Sequence, residues 1–295
     1  MNIWVIRPGA LGDTLLVLPL LYTIKETSAP DRVILFGSAI YRELIPPEFS
    51  FHPIDHSDSL WLFQPNYSSG ARSDEPCDVA YVILKDPENT ISNLRRAGVE
   101  KILHASPITR PGYHLVEALH HQLGLPVPDR SPVLKGFGKA NTQNLVWVHP
   151  GSGGRKKLAP LELFIEITAV LRARTGCDIA ITLGEADAEL KEHRGWSQWV
   201  ADSHVTVLEN RTLQEVCDYM AGARFFIGND SGISHLAANL GISCILFYMS
   251  TDPVQWSPWV PSNQMLIFEY REGDMCRGTH EEAVTIVESA LFMRP

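Results

Sequence analysis

The sequence predicts an α/β protein made of two doubly wound domains, each built around a parallel sheet. Two observations predict this class: strand-like and helix-like segments alternate in both halves, and three strand-like segments run through a small-residue loop into a helix. The 295 residues, 45% hydrophobic and 20% charged, suit two globular domains. Ligands of such sheets bind beyond the carboxyl ends of the strands, so the three loops are candidate binding sites.

The first half is predicted to form a sheet with helices between its strands. Its first strand, residues 2–7, leads into a helix at 14–27, which Pro19 should kink or make irregular near its start. The continuous apolar run at 79–84 is typical of a parallel strand that is buried on both faces. Further elements are a strand at 32–36, helices at 89–97 and 113–123, and loops over 46–78, which is rich in Ser, Pro and Asp.

The second half alternates more regularly. The stretch at 124–144, rich in Pro and Gly, indicates a linker, so we expect domains at 1–135 and 136–295. Capping boxes at Thr212/Glu215 and Thr279/Glu282 predict helix starts. Predicted strands are 145–148, 178–183, 205–208, 225–228, 243–247 and 264–268, and predicted helices are 160–175, 187–199, 213–221, 233–240 and 281–292. Whether the last helix packs back on the first domain is left open.

Composition and charge exclude several classes of partner. A net charge of −9 argues against nucleic acid, which requires a broad Lys/Arg surface. The five cysteines include no C-x-x-C pair, so the sequence signals neither zinc nor a disulfide framework and favours a reducing cytoplasm. The apolar run at 15–24 is about half as long as the roughly 20 residues of a membrane span and lacks a signal-peptide cleavage pattern. We therefore expect a buried helix there.

The first small-residue loop places an acid at the start of a helix. Asp13 follows Gly12 and precedes Thr14, and Gly9 lies one turn earlier. Glycines let another molecule approach the backbone closely. Asp13 is interpreted either as an N-cap, which contributes roughly 1 kcal/mol, or as a general base that faces a cleft between the domains.

The second loop, residues 151–157, combines glycines with a run of cations. Ser152 and Gly153 precede Arg155, Lys156 and Lys157. The loop is either solvated surface or a cradle for a diphosphate, in which backbone N–H groups and a cation meet the phosphate charge. The spacing G-x-x-x-x-G-K-[ST] of a P-loop is absent, so ATP hydrolysis is not expected.

The third loop, residues 229–232, combines Asn, Asp, Ser and Gly at a helix start. Capping alone would explain Asp230 or Ser231, but the whole set including Gly232 favours anion binding. His235 follows Ser231 by four residues and shares its helix face. For His235, a structural and a ligand-binding role both remain open.

Neither a metal site nor a cofactor is predicted. The chain has no D-x-D pair of the kind that positions Mg²⁺ against a nucleotide diphosphate, which favours cations and helix dipoles in that role. His114, His120 and His121 are close in sequence, and we expect them on a helix surface rather than at a metal.

Three stretches together resemble the signatures of glycosyltransferase family 9, the ADP-heptose:lipopolysaccharide heptosyltransferases. They are RPGALGD at 7–13 with Pro19, HPGSGGRKK at 149–157 with PLELF at 160–164, and GNDSGISHLAA at 228–238 followed by TDP at 251–253 and WSPW at 256–259. The resemblance implies a GT-B fold, in which two Rossmann-like domains face each other across a cleft. It also implies an inverting, metal-independent sugar transfer.

The resemblance implies roles for individual residues as well. Asp13 matches the family's base, and Lys157 matches the lysine that meets the donor phosphates, with Lys156 as an alternative register. Glu185 and Asp187 fall where the family has an acidic donor contact. The expected substrate-binding residues are Gly12, Thr14, Ser152, Gly153, Lys156, Glu185, Asp187, Asp230, Ser231, Gly232 and His235.

Two positions depart from the family pattern. Leu158-Ala159 stand where a tryptophan usually precedes the proline, and Met249-Ser250 replace a Gly-Pro before Thr251. These departures motivate one alternative, a non-catalytic nucleotide-sugar-binding scaffold. A second alternative is a nucleotide-sugar epimerase, which would need a further acid/base group that the sequence does not reveal.

The resemblance nevertheless favours a cytoplasmic heptosyltransferase. Its expected partners are ADP-heptose as donor and a lipopolysaccharide-core or related surface glycan, or glycolipid, as acceptor. An acceptor at the membrane surface implies peripheral contact with the inner membrane, although no basic amphipathic helix is evident in the sequence.

Overall fold

The computed structural model describes residues 1–65, 75–134, 137, 143–270 and 285. The chain divides into two compact units, Met1–Val133 and Leu134–Pro295. Each unit contains one sheet in which neighbouring strands run parallel, with helices between the strands. The predicted α/β class with doubly wound parallel sheets is confirmed.

The described part of the first unit forms a sheet of five strands. They are β1 Asn2–Ile6, β2 Arg32–Gly37, β3 Ser50–Pro53, β4 Val79–Ile83 and β5 Lys101–Ala105. Their order in the sheet is β3-β2-β1-β4-β5, so the direction of winding reverses between β1 and β4. The helices are α1 Leu11–Ser28, α2 Glu88–Arg96 and α3 Leu115–Leu123.

Helix α1 is buried along most of its length, as the apolar sequence of residues 15–24 predicts. It begins at Leu11, three residues before the predicted start, and it continues through Pro19 without interruption. Proline has no N–H, so the carbonyl of Leu15 lacks its usual helical donor there. Ala29 ends the helix in a left-handed conformation, with its N–H donating to the Lys25 carbonyl.

Helices α1 and α3 are joined by a buried histidine. Nδ1 of His120 lies 2.7 Å from the Val116 carbonyl oxygen and Nε2 lies 3.0 Å from the Thr23 hydroxyl. Burial lowers the pKa of His120, so the ring is neutral at pH 7. A carbonyl only accepts, which assigns a ring proton to Nδ1. The Thr23 hydroxyl lies within hydrogen-bond distance of both Nε2 and the Pro19 carbonyl oxygen, at 3.0 Å and 3.1 Å.

The prediction that this histidine cluster lies on a helix surface is therefore wrong for two of its members. His120 is buried, and so is His114, whose ring caps α3 by accepting the Val116 N–H at 3.1 Å. His121 is exposed as predicted. The sequence spacing did not show that α1 covers this face of α3.

The prediction of loops throughout 46–78 is also wrong. Strand β3 and a 3-10 helix at Ser57–Leu62 lie within it. The amide of Asn93 in α2 donates to the Trp61 carbonyl at 2.7 Å and to the Gln64 carbonyl at 2.9 Å, which fixes the end of the 3-10 helix. Strand β5, at the other edge of the sheet, was also missed by the sequence analysis.

The described part of the second unit forms a sheet of six strands. They are β6 Leu145–His149, β7 Asp178–Leu183, β8 Val205–Glu209, β9 Phe225–Asn229, β10 Ser243–Tyr248 and β11 Met265–Glu269. The order is β11-β10-β9-β6-β7-β8, so the winding reverses between β6 and β9. The helices are α4 Leu161–Thr175, α5 Trp196–Val200, α6 Leu213–Met220, α7 Gly232–Asn239 and α8 Pro253–Trp256.

The helix predicted at 187–199 is broken in the structure. A 3-10 helix spans Glu185–Glu192, and α5 follows only from Trp196. His193 turns the chain between them, and its Nδ1 accepts the Gly195 N–H at 3.2 Å. A Cβ on Gly195 would lie 2.9 Å from the end of Ile165, so the break lets the chain approach α4 closely.

The capping boxes have different outcomes. At α6, the Glu215 N–H donates to the Thr212 hydroxyl at 3.2 Å and the Thr212 N–H donates to the Glu215 carboxylate at 2.9 Å, which confirms the first. The box at Thr279/Glu282 and the predicted helix at 281–292 lie outside the described residues. Within the described ranges, every helix is too short or too polar to span a bilayer.

Candidate functional site

Both sheets place polar loops at the point where their winding reverses. In the first sheet, residues 7–13 follow β1, which borders the reversal. In the second sheet, the loops after β6 and β9 border it from both sides. A reversal opens a crevice outside the carboxyl ends of the strands, where ligands of doubly wound sheets bind. Each unit therefore has its own candidate site.

In the first unit, Asp13 belongs to the first turn of α1 and is not its N-cap. The N-cap is Ala10, whose side chain has no acceptor. The Asp13 carboxylate reaches back instead, and its Oδ2 accepts the Ala10 N–H at 3.0 Å. Its Oδ1 lies 2.6 Å from Nη2 of Arg7 in an ion pair. The N-cap interpretation is wrong, and the carboxylate is held through both of its oxygens.

Arg7 and Gly9 fix the place of this carboxylate. Arg7 continues the line of β1, with its N–H donating to the Phe36 carbonyl at 3.0 Å, and its side chain is buried. A Cβ on Gly9 would lie only 2.6 Å from Cβ of Asp13, so only glycine leaves room for the aspartate. Asp13 itself is partly exposed, which makes the carboxylate the accessible member of the pair.

The two neighbours predicted to bind substrate differ in accessibility. Gly12 is half-buried, whereas Thr14 is buried and its hydroxyl donates to the Ala10 carbonyl at 3.2 Å. The structure thus gives the Thr14 hydroxyl a partner inside the helix.

In the second unit, three loops converge on Asp230, which follows β9. Oδ2 of Asp230 lies 2.7 Å from Nζ of Lys157 and accepts the Thr251 hydroxyl at 2.6 Å. The Asp230 carbonyl accepts the Ser152 hydroxyl at 2.8 Å, and its N–H donates to the Phe247 carbonyl at 3.0 Å. The loops that follow β6, β9 and β10 thereby meet at a single buried acidic residue.

Asn229, at the end of β9, anchors the loop that follows β6. Its amide donates to the Pro150 carbonyl at 2.8 Å, and its Oδ1 accepts the Ala159 N–H at 3.0 Å. Ala159 occupies part of the stretch where the family pattern has a tryptophan. Because Asn229 binds the backbone there, the anchoring does not depend on the side chain at position 159.

Helix α7 begins at Gly232, two residues after Asp230. Ser231 is its N-cap, with the hydroxyl accepting the Ser234 N–H at 3.3 Å, and Ser234 in turn donates to the Asn229 carbonyl. Gly232 is the first helical residue, and the first-turn N–H groups carry the positive end of the helix dipole. His235 is buried within the same helix.

The cations of the second loop are not equivalent. Lys157 is partly exposed and paired with Asp230, whereas Lys156 is exposed and Arg155 pairs with Glu189 on the surface. A Cβ on Gly153 would meet no atom within 4 Å, so the tip of the loop is open. Of the two alternative registers, the structure brings Lys157 to the reversal point.

The two acidic candidates after β7 are also separated by the structure. Asp187 is buried, and its Oδ2 accepts the Gly184 N–H at 2.8 Å, whereas Glu185 is exposed. A Cβ on Gly151 would lie 2.1 Å from Oδ1 of Asp187, so glycine is required where the carboxylate packs on the loop. The structure therefore brings Asp187, and not Glu185, against the loop after β6.

His149 ends β6 beneath that loop. Its Nδ1 lies 3.0 Å from the Thr182 carbonyl oxygen. Burial lowers the pKa of His149, while the nearby Asp187 carboxylate opposes the shift. With a carbonyl as its partner, Nδ1 carries the proton of a neutral ring.

Arg7, Asn229 and Thr251 were not selected as site residues from the sequence. All three lie inside the stretches that carry the family resemblance, so the signal was present. Their partners, however, are set by the order of strands in each sheet, which the sequence does not display.

Comparisons with known proteins bear on both units. A family model described as glycosyltransferase family 9 (heptosyltransferase) matches residues 114–283, more than half of the chain. Lipooligosaccharide heptosyltransferase 2 of Campylobacter jejuni subsp. jejuni serotype O:2 is 25% identical over 284 residues, which cover 90% of this chain and 86% of that protein.

Two solved structures share the fold. The E. coli heptosyltransferase WaaC with ADP superposes with a TM-score of 0.72 at 16% identity, covering 98% of this chain and 100% of that one. A glycosyl transferase family 9 protein from Veillonella parvula superposes with a TM-score of 0.73 at 16% identity, covering 99% and 97%. These likenesses concern the fold alone, and they confirm the GT-B class.

Proposed function

The chain belongs to glycosyltransferase family 9, and we propose that it transfers a heptose from ADP-heptose to a lipopolysaccharide-core or related surface glycan, with inversion and without a metal ion. One observation carries the proposal: the ion pair at each reversal point has one buried and one partly exposed member, and the exposed member differs in sign between the units. The first unit presents the Asp13 carboxylate, and the second presents the Lys157 cation. A sugar transfer from a nucleotide diphosphate needs both, a base for the acceptor and a cation for the leaving group.

The donor side of the proposal rests on the second unit, which we assign to residues 136–295. Lys157 and the N–H groups at the start of α7 would meet the diphosphate of ADP-heptose. Preorganised donors of this kind contribute on the order of 3–4 kcal/mol to transition-state stabilisation. Asp187, buried against the loop after β6, would accept hydrogen bonds from hydroxyl groups of the donor. The relative with ADP supports the choice of nucleotide.

The acceptor side rests on the first unit, which we assign to residues 1–135. The acceptor oxygen attacks the anomeric carbon on the face opposite the diphosphate, and its proton passes to Asp13. The bond between the anomeric carbon and the phosphate oxygen breaks, and ADP leaves with the bonding electrons. Arg7 and the Ala10 N–H orient the carboxylate for this transfer. General base catalysis contributes about 10²–10⁴-fold.

Metal independence is the third part of the proposal. The positive charges of Lys157 and of the α7 helix dipole would neutralise the phosphates in the role that Mg²⁺ otherwise takes. We further propose a cytoplasmic enzyme that makes peripheral contact with the inner membrane, because its acceptor class is found at that surface.

An assay with purified full-length chain tests the proposal. We expect ADP release from ADP-heptose only when a lipopolysaccharide-core acceptor is present, a product of inverted anomeric configuration by NMR, and equal rates with and without EDTA. Isomerised donor without acceptor would indicate an epimerase. Binding without turnover would indicate a scaffold, and a loss under EDTA that Mg²⁺ restores would contradict the metal-free mechanism.

A further inference from the structure

One carboxylate oxygen of Asp230 accepts two donors that differ in freedom of movement. Oδ2 lies 2.7 Å from Nζ of Lys157 and 2.6 Å from Oγ1 of Thr251. Asp230 is buried, whereas Lys157 is partly exposed at the end of a flexible stem. The lysine can therefore turn to another anion, and the aspartate cannot follow it.

Asp230 would need another hydrogen-bond donor once the Lys157 side chain rotates away from it. A buried carboxylate that loses its only hydrogen-bonding cation is strongly destabilised. A hydroxyl that donates to the same oxygen keeps the carboxylate satisfied while the lysine is elsewhere. Among the described residues, Thr251 is the side chain that donates to Oδ2 beside Lys157.

The fold holds Thr251 in place independently of Lys157. Thr251 lies between β10, which pairs with β9 in the register Phe247 to Asn229, and the short helix α8. Asp252 caps α8 by accepting the Val254 N–H at 2.8 Å. The loop is thus fixed on both sides of the threonine, next to the residue that follows β9.

We propose that Thr251 is a positioning residue for the donor, holding the Asp230 carboxylate when Lys157 turns from it to the diphosphate. This inference rests on the proposed function, because it takes the donor diphosphate as the ligand of Lys157. Thr251 itself touches Asp230 rather than the donor. Without its hydroxyl, Asp230 retains Lys157 more strongly, and the diphosphate has to compete with an internal carboxylate for the same cation.

The test is a titration of full-length chain with ADP by calorimetry, for wild type, Thr251→Val and Thr251→Ser. Valine keeps the shape of threonine but has no hydroxyl, whereas serine keeps the hydroxyl. We expect valine to weaken ADP binding by about 10-fold or more, as for a lost hydrogen bond to a charged group, and serine to bind like wild type. If the valine variant melts at a lower temperature, Thr251→Ala is titrated as a second variant.

A Lys157→Met background separates this role from general damage to the loop. Without the lysine, no cation is shared, so Thr251→Val should cause little further loss of ADP affinity. An equal loss in both backgrounds, wild-type affinity of the valine variant, or failure of serine to restore binding overturns the inference while leaving the proposed function intact. A wild-type chain that binds no ADP overturns the proposed function, and this inference with it.

Discussion

The ion pairs at the two reversal points differ in which member, the cation or the acid, is buried. In the first unit the arginine is the buried member, with Arg7 9% and Asp13 30% exposed. In the second unit the acid is the buried member, with Asp230 6% and Lys157 36% exposed. The buried member is fixed at the end of a central strand in each case. The same doubly wound scaffold thus presents a carboxylate in one unit and a cation in the other.

This difference shows where the chemistry of each unit comes from. An ion pair with one member about a third exposed is screened by water and adds little stability. In the first unit the pair holds the exposed carboxylate in one orientation, which suits a base. In the second unit the buried carboxylate is the fixed member, and the exposed lysine can turn to another anion. Exchanging which charge is buried changes what the unit offers to a ligand without changing the fold.

The largest expected effect follows from removing the charge that the first unit presents. Asp13→Asn keeps the size of the side chain and an oxygen for the Ala10 N–H. We expect kcat to fall by roughly 10²-fold or more, because a base acts in the transition state. The Kd for ADP, measured by calorimetry, should not change. Normal turnover, or a large loss of ADP affinity, would reduce Asp13 to a structural partner of Arg7.

The second effect follows from removing the charge that the second unit presents. Lys157→Met should lower kcat/KM by about 100-fold and weaken ADP binding, because the leaving phosphate loses its cation. Lys156→Met is the matched control, since Lys156 is exposed and adjacent. It should change kcat/KM by a factor of about two. Equal losses in steady-state assays of the two variants would remove the distinction between the registers.

A smaller effect is expected from two glycines of one loop. Neither Gly151 nor Gly153 has a left-handed φ, so alanine is compatible with both backbones. At Gly151 the new Cβ would collide with Asp187, and at Gly153 it would meet no atom within 4 Å. We expect Gly151→Ala to lower stability by about 1–3 kcal/mol in urea unfolding.

Gly153→Ala serves as the control and as a probe of the open loop tip. Its unfolding free energy should match wild type, so any loss of ADP affinity would report the approach of the nucleotide to the loop. If both variants unfold alike, the close packing of Asp187 on the loop does not stabilise the second unit.

The sequence predicted the central strands well because strands that are buried on both faces consist almost entirely of apolar residues. The run at 79–84 and the strand at 178–183 are apolar enough to identify without a partner. Strand β3 is Ser-Phe-His-Pro, four half-buried residues, and forms because β2 offers it an edge. Such an edge strand depends on pairing with its neighbour, and its four residues are too short a run to establish an alternation of apolar and polar side chains.

The candidate site was predictable in its residues but not in its pairings. Asp13, Lys157 and Asp230 stand out from their loops, whereas Lys157 and Asp230 are 73 positions apart and meet only because β6 and β9 are adjacent. Thr251 joins them because β10 is next to β9. The N-cap interpretation of Asp13 failed by three residues, because helix α1 starts at Leu11 and its N-cap is Ala10.

The central claim is that the second unit binds the nucleotide while the first supplies the base. Hydrogen exchange of the full-length chain with and without ADP tests it most directly, because a ligand protects the backbone that it stabilises. We expect ADP to slow exchange at 149–157 and 228–235 and to leave 7–14 unchanged. Protection of 7–14 with no change at 149–157 and 228–235 would reverse the assignment of the two units and remove Asp13 from the acceptor side.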